Sequence, residues 1–258
     1  VGDQKTEVRC TSDITVRLVQ QVGGDYSVIA AAKVSVSGEE ALAFSDPGRA
    51  EDNYGLIRYL MRMKHGSCFE HGSMTFFVHA PILVWREWHR HRVQSFNEQS
   101  GRYSVLEPVF YVPPRDRPML KVDDWKPGRP KFLTIDERYP PGMTRPSYGD
   151  SVYRVLCDNL RESYELAYRK YEENLALGID PGLARDCLPV GVYSSCWVTC
   201  NPRSMMAFLS LRTHEPGANH PSYPLYEIEA AARKCEGPFA EHWPLTYRAF
   251  CECGREAP

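Results

Sequence analysis

Residues 73–104 read SMTFFVHAPILVWREWHRHRVQSFNEQSGRYS, a run that changes character twice. The β-branched and aromatic content of 73–81 predicts a strand closed by Pro81. Pro81 also suits the first turn of a helix over 82–92, ILVWREWHRHR. On that helix Arg86 and Arg90 share a face, as do Glu87 and His91, while Arg92 projects elsewhere. A polar loop with Asn97, Glu98, Ser100, Gly101 and Arg102 follows.

Upstream, DITVRLV at 13–19 alternates like a half-buried strand, and Gly23, Gly24 and Asp25 predict a turn and N-cap before a helix in YSVIAAAKV. A second helix is predicted over about 53–64, with Leu56, Leu60 and Met63 on one face. Downstream, 113–147 holds eight of the twenty prolines and no sustained apolar period, which marks an excursion rather than a domain. Asp150 then caps a long helix in which Tyr153, Leu156, Leu160, Tyr164, Ala167 and Tyr171 recur at three- and four-residue steps, ending at Gly178. Asp180-Pro181 restarts a short helix, VGVYSSCWVTC is an apolar segment, and Asn201-Pro202 caps a helix in MMAFLSLR. From about 225 the chain reads as helical again. The expectation is a single α+β domain over 1–258, a mostly antiparallel sheet against helices, without internal repeats.

The 258 residues are 43% hydrophobic and 25% charged, with 31 basic and 33 acidic side chains, which places the chain among folded globular proteins. Eighteen consecutive apolar residues occur nowhere, mean hydropathy is −0.44, and VGDQKTEVRC lacks the apolar core of a signal peptide. A cytoplasmic protein without a membrane partner is expected. A net charge of −2 argues against general nucleic-acid binding, so any positive site is local. The odd count of nine cysteines favours free thiols. Cys196-x3-Cys200 and Cys251-x-Cys253 lack the paired spacing of a zinc site.

The densest chemistry lies in 85–104. Guanidinium groups grip phosphate through forked hydrogen bonds, Ser100 offers a hydroxyl, and Gly101 lets backbone N–H groups approach an anion. The plainer reading is a surface helix paired to carboxylates. Glu70, His71, His89 and His91 could instead serve a metal-dependent nucleotide phosphohydrolase, but positions 89 and 91 point about 200° apart on a helix. Metal is therefore not expected.

Arg90-His91-Arg92, seven residues, then Ser100 resembles the signature of the flavin-dependent thymidylate synthases. FEHGSMTFFVHAPILVWREWHRHRVQSFNEQSGRYS, LARDCLPVGVY and NPRSMMAFLSLR are similar to that family in order and spacing. The resemblance implies conversion of dUMP to dTMP, with methylenetetrahydrofolate as carbon donor, NADPH as reductant and FAD as hydride carrier, in a homotetramer with shared active sites. It implies that Ser67, Arg90, His91, Arg92, Glu98, Asn201 and Arg203 contact FAD. For dUMP it implies Glu87, Arg90, Glu98, Gln99, Ser100, Gly101, Arg102, Arg185 and Arg212, with Arg212 on the uracil ring. Arg212 and His65, the latter beside flavin and folate, are the implied catalytic residues.

These implications suit the chemistry. Uracil C5 is a poor nucleophile, and a guanidinium at the N3/O4 edge favours the N3-deprotonated ring, which pushes electrons toward C5. None of the nine cysteines has the Pro-Cys-His context of the thiolate-dependent synthases, and Ser100 has no triad partners, so it reads as a phosphate ligand. Neither G-x-G-x-x-G nor a Walker A loop occurs, so FAD and NADPH are not expected on a Rossmann or P-loop unit. Without the resemblance, Asn201 reads as an N-cap, Arg185 as a solvated charge, Arg212 and His65 as helix C-terminal cations, and Cys68 as packing.

The chain also departs from the family pattern. Glu87 stands where glutamine is usual, repulsive toward phosphate unless Arg86 or Arg90 offsets it, and Ala207 where an asparagine often meets flavin. These two departures also suit a non-catalytic nucleotide-binding descendant. THEPGANHPSYPLYEIE is inserted after Arg212, leaving His214 and His220 as competing matches to one family histidine, and the 113–147 excursion is longer than usual.

Overall fold

A computed structural model describes residues 6–44, 48, 51–124, 126, 131–140 and 148–258. In chain order the elements are β1 (Arg9–Thr11), β2 (Thr15–Val22), α1 (Asp25–Ser37), α2 (Tyr54–Arg62), β3 (Ser73–Pro81), α3 (Ile82–Trp88), β4 (Ser95–Glu98), β5 (Val109–Tyr111), β6 (Leu120–Lys121), β7 (Phe132–Leu133), α4 (Ile135–Arg138), α5 (Tyr148–Ala176), α6 (Pro181–Ala184), β8 (Tyr193–Cys200), α7 (Pro202–Arg212), α8 (Tyr226–His242) and α9 (Pro244–Glu252). The α+β class holds. A four-stranded sheet has the order β2-β3-β8-β4; β6 and β7 pair antiparallel, and β1 pairs with β5 in parallel. By contacts the described chain forms two units interleaved in sequence: Val1–Ile14, His79–Arg86 and Glu98–Ser195, then Thr15–Val78, Glu87–Asn97 and Cys196–Pro258.

In the first unit, α5 presents tyrosines to the strand region before it. Tyr164 donates its hydroxyl to Tyr111 O (2.8 Å), Tyr168 to Leu106 O (3.0 Å) and Tyr153 to Pro113 O (2.9 Å), while Tyr171 accepts from Leu106 N (3.2 Å). Buried tyrosine needs such partners, and burial pushes the Tyr164 and Tyr168 hydroxyls up to about 12, so they remain donors. The periodic face is thus real, but Cys157 and Tyr168 join it as fully buried members, whereas Leu156 and Ala167 are half-buried. The helix also begins two residues before the expected cap: Asp150 lies in its first turn, paired with Arg115 at 2.7 Å. Within the excursion, Thr134 and Glu137 form a capping box for α4; residues 125, 127–130 and 141–147 lie outside the described residues.

In the second unit, α7 packs on α8, and α8 on α9 and β2. The expected strand at 13–19 is shifted to Thr15–Val22. Asp25 does not cap its own helix; Gly24 holds that position. The Asp25 carboxylate instead accepts from Leu245 N and Thr246 N, both 2.8 Å, and from the Thr246 hydroxyl at 2.6 Å. Helix α9 has no side-chain cap of its own, so its orphan N–H groups recruit the buried acid of α1. Helix α2 buries Ile57, Leu60 and Met61, while Met63 is exposed, because the helix has already ended at Arg62.

Strand β3 has the expected bounds and alternates in burial. The helix after it does not reach 92: α3 stops at Trp88, His91 N closes a turn onto Trp88 O (2.9 Å), and Asn97 and Glu98 lie in β4 rather than a loop. Trp88 holds this end by stacking on Phe208 (4.6 Å between centroids) and by donating Nε1 to Gln94 Oε1 (2.9 Å). All nine cysteines are free thiols.

Candidate functional site

In the first unit, the turn after β4 gathers four of the predicted substrate residues. Gln99 N donates to Ser195 O (2.7 Å), and Tyr103 N and Ser104 N both reach Ser100 O (3.1 Å), which bends the chain tightly around Ser100-Gly101. The Ser100 hydroxyl accepts from Arg102 N at 3.3 Å. A Cβ at Gly101 would stand 3.0 Å from Arg185 Cδ and 3.1 Å from its Nη1, so glycine is what admits that guanidinium to the turn. Arg102 lies along Gly182 of the short helix α6, which ends just before Arg185 and which Asp180 caps through Leu183 N (3.1 Å). Two arginines, a hydroxyl and a tight turn make an anion cradle. Tyr168 and Tyr171 hold its downstream end at Leu106. Glu98 is exposed at the end of β4.

In the second unit, Arg212 at the end of α7 is anchored on three acceptors. Its Nη1 donates to Glu87 Oε2 (2.7 Å), its Nη2 to Glu87 O (3.1 Å), and its Nε to His91 Nε2 (3.1 Å). Glu87 is thus offset by Arg212, not by Arg86 or Arg90. Glu87 and His91 still meet on one group, although His91 is beyond the helix. Burial, with the Arg212 charge second, lowers the His91 pKa to about 4. The ring is therefore neutral at physiological pH, with Nε2 accepting and the proton on Nδ1. It stays neutral down through the ordinary histidine range and takes up a proton only as pH falls toward 4. An NMR titration of His91 is expected to show a midpoint near 4; one near 6.5 would contradict the arrangement.

Arg203, in the first turn of α7, donates Nη1 to Glu70 (2.5 Å) and Nε to Pro258 O (2.7 Å). Its guanidinium lies flat on Gly66, where a Cβ would fall 2.5 Å from Nε. Asn201 caps α7 as expected, accepting from Ser204 N at 2.8 Å. His91, Arg92, Arg203, Ser204, Ala207 and Pro258 help to line a cavity of about 370 Å³. Two guanidinium groups beside a helix N-terminus fit a diphosphate, and Ala207 leaves that stretch of wall apolar. His65 and Ser67 are exposed on the 3-10 turn region after α2, with His65 tilted against Tyr59 at 6.0 Å. Arg90 is exposed in the turn after α3.

Three of the four side chains considered for metal are otherwise engaged: Glu70 pairs with Arg203, His91 accepts from Arg212, and His89 meets Phe96 edge-on at 4.7 Å. Among the described residues, no three His, Cys, Asp or Glu side chains are grouped to hold a metal ion. Nor is a thiolate favoured: burial raises the pKa of Cys10, Cys68, Cys187, Cys200 and Cys235. Sequence reasoning missed Gly66 and Lys64 as supports, and took Glu70 only as a metal candidate. The signal available was a glycine directly preceding Ser67, the mark of close backbone approach.

The chain matches the family described as "Thymidylate synthase complementing protein" over residues 17–245. It is 46% identical to a flavin-dependent thymidylate synthase of Streptomyces coelicolor, over 99% of this chain and 97% of the relative. Identity to the Streptomyces avermitilis enzyme of the same name is 47%, over 96% and 94%. Among solved structures it resembles the UMP/dUMP methylase PolB from Streptomyces cacaoi bound with 5-Br dUMP, at a TM-score of 0.85 and 39% identity, covering 97% of this chain and all of that one. Sequence match and fold agree: the chain belongs to the flavin-dependent thymidylate synthase family.

Proposed function

We propose that the chain 1–258 works as one flavin-dependent thymidylate synthase domain in the cytoplasm, converting dUMP to dTMP with methylenetetrahydrofolate as carbon donor and NADPH as reductant. The observation that carries the reading is the anchoring of Arg212. A guanidinium has five N–H donors. Three are engaged by Glu87 and His91, which leaves one on each terminal nitrogen as a two-donor fork. Such a fork matches two adjacent acceptors, as N3 and O4 of uracil become when N3 loses its proton. It thereby favours the tautomeric charge state whose C5 is nucleophilic. The amino group of cytosine would oppose it with a donor, so dCMP is rejected.

Ser100, Gly101, Arg102 and Arg185 take the phosphate, with Glu98, Gln99 and Arg90 completing the nucleotide site. Ser67, Arg90, His91, Arg92, Glu98, Asn201 and Arg203 hold FAD, whose diphosphate suits the cavity walled by Arg92 and Arg203. FAD, when bound, relays a hydride from NADPH to the carbon that the folate delivers. His65 orients flavin and folate from its exposed turn. The enzyme is a homotetramer that completes each site with residues from more than one subunit; light scattering at the mass of a monomer would contradict this.

Ser100→Ala is expected to retain activity, losing about 10- to 100-fold in kcat/KM chiefly through KM for dUMP, because a phosphate ligand binds ground and transition states alike. Loss of kcat with intact dUMP binding would instead make the serine a nucleophile. The reading as a whole is tested by absorbance: the protein with FAD should show a bound-flavin spectrum that dUMP perturbs. A spectrum identical to that of free FAD, with and without dUMP, would overturn it.

A further inference from the structure

Five contacts tie the inserted segment after Arg212 and the C-terminal tail to the residues assigned to flavin. Asn219 N donates to Gly254 O (3.0 Å), and His220 Nε2 meets Glu256 Oε1 at 2.8 Å. Glu256 Oε2 in turn pairs with Lys64 Nζ (3.1 Å), which also donates to Ala257 O (3.3 Å). Pro258 O accepts from Arg203 Nε (2.7 Å). Lys64 has a left-handed backbone, φ 59°, immediately before His65, Gly66 and Ser67. A lysine is rarely found there, and the neighbours that grip its ammonium hold the reversal in place.

The tail is itself fixed from below. Arg255 is buried and donates Nη2 to Glu236 Oε1 (2.6 Å) and to the Thr213 hydroxyl (3.0 Å). Arg233 joins the same acid to the insertion, donating to Glu236 Oε2 (3.0 Å), Glu215 Oε1 (2.6 Å) and His214 O (2.8 Å). The insertion therefore has a rigid floor on α8, and the tail lies between it and the 64–67 turn.

We propose that residues 256–258, braced by the insertion after Arg212, form a clamp that fixes Ser67 and Arg203 for FAD, with Lys64 and Glu256 as positioning residues. The inference rests on the assignment of Ser67 and Arg203 to FAD. The clamp acts at two places: it pins the 64–67 turn through Lys64, and at the cavity that Arg203, Ala257 and Pro258 line it sets the guanidinium plane of Arg203 through Pro258 O. The Lys64 pair is half-exposed and contributes modestly by itself; the carbonyl on Arg203 carries the larger share.

The test is FAD binding, by flavin fluorescence, to the full chain, to Lys64→Met, to Lys64→Arg and to a chain ending at Arg255, which keeps the buried Arg255–Glu236 contact. We expect Kd for FAD to rise about threefold in Lys64→Met, to return toward wild type in Lys64→Arg, and to rise at least tenfold in the shortened chain. KM for dUMP should change less than twofold in each at saturating FAD, a split that general loosening would not produce. An unchanged or tighter Kd in the shortened chain would overturn the clamp, the tighter value showing the tail to obstruct the cavity instead. A wild-type chain that does not bind FAD would overturn the functional reading itself, which keeps the two failures distinct.

Discussion

Arg212→Ala is expected to abolish turnover, lowering kcat/KM by about 10³-fold or more, while FAD remains bound. The size follows from what is removed. A single preorganised donor aimed at developing charge is worth about 10²- to 10³-fold. The alanine variant loses both free donors of the fork and the positive charge that favours N3 deprotonation. It also leaves Glu87 without its cation at the place where uracil would carry negative charge. Arg212→Lys keeps the charge but not the fork, and should recover only part of the loss. Glu87→Gln still presents an acceptor to Nη1 and should fall far less than Arg212→Ala. Steady-state kinetics with a flavin spectrum on each variant checks the set. Activity of Arg212→Ala within tenfold of wild type would remove the guanidinium from the chemistry.

The second large effect concerns stability. Glu236→Ala is expected to lower the unfolding free energy by about 3–5 kcal/mol, because it leaves the buried Arg255 without its carboxylate and takes from Arg233 one of its three carboxylate partners, the others being Glu215 and Glu229. For a chain of this size that corresponds to a fall in Tm of roughly 10 °C. Burial by itself would raise the Glu236 pKa, but Arg255, Tyr247 and Arg233 outweigh it and hold the carboxyl below its ordinary value. The contribution is therefore complete above the ordinary carboxylate range and is lost as pH falls through the lowered folded-state value. Denaturant unfolding at pH 7 and again near pH 3 should show the gap between wild type and variant narrowing in acid. A gap below about 0.5 kcal/mol at pH 7 would mean that the network stabilises nothing.

The parts of the fold legible in the sequence are those whose causes are local. Strand β3 announces itself by alternation and ends where Pro81 removes a donor. The α7 cap depends on Asn201 and an amide three residues away. The anion-binding turn was readable because Ser100, Gly101 and Arg102 are adjacent. What escaped was set by partners distant in sequence. The early end of α3 depends on Trp88 meeting Phe208, and the apparent cap Asp25 serves a helix more than two hundred residues further on. Glu87 looked like an unbalanced charge on its own helix because its counter-charge, Arg212, lies 125 positions away. The periodic face of α5 was read with Leu156 and Ala167 in it and Tyr168 outside it, because the hydroxyl partner that draws Tyr168 into the core is the carbonyl of Leu106, 62 positions away. Family resemblance supplied Arg185, whose neighbours in sequence make it look like any solvated charge; its place against Gly101 is a tertiary fact.

The most direct measurement is dTMP formation by the purified chain supplied with dUMP, FAD, methylenetetrahydrofolate and NADPH, with one component withheld at a time. dTMP should form only in the complete mixture, and UMP run in parallel reports whether the ribose 2′-hydroxyl is tolerated. No dTMP from the complete mixture, with FAD and dUMP both shown to be bound, would contradict the account and leave a nucleotide-binding protein without turnover.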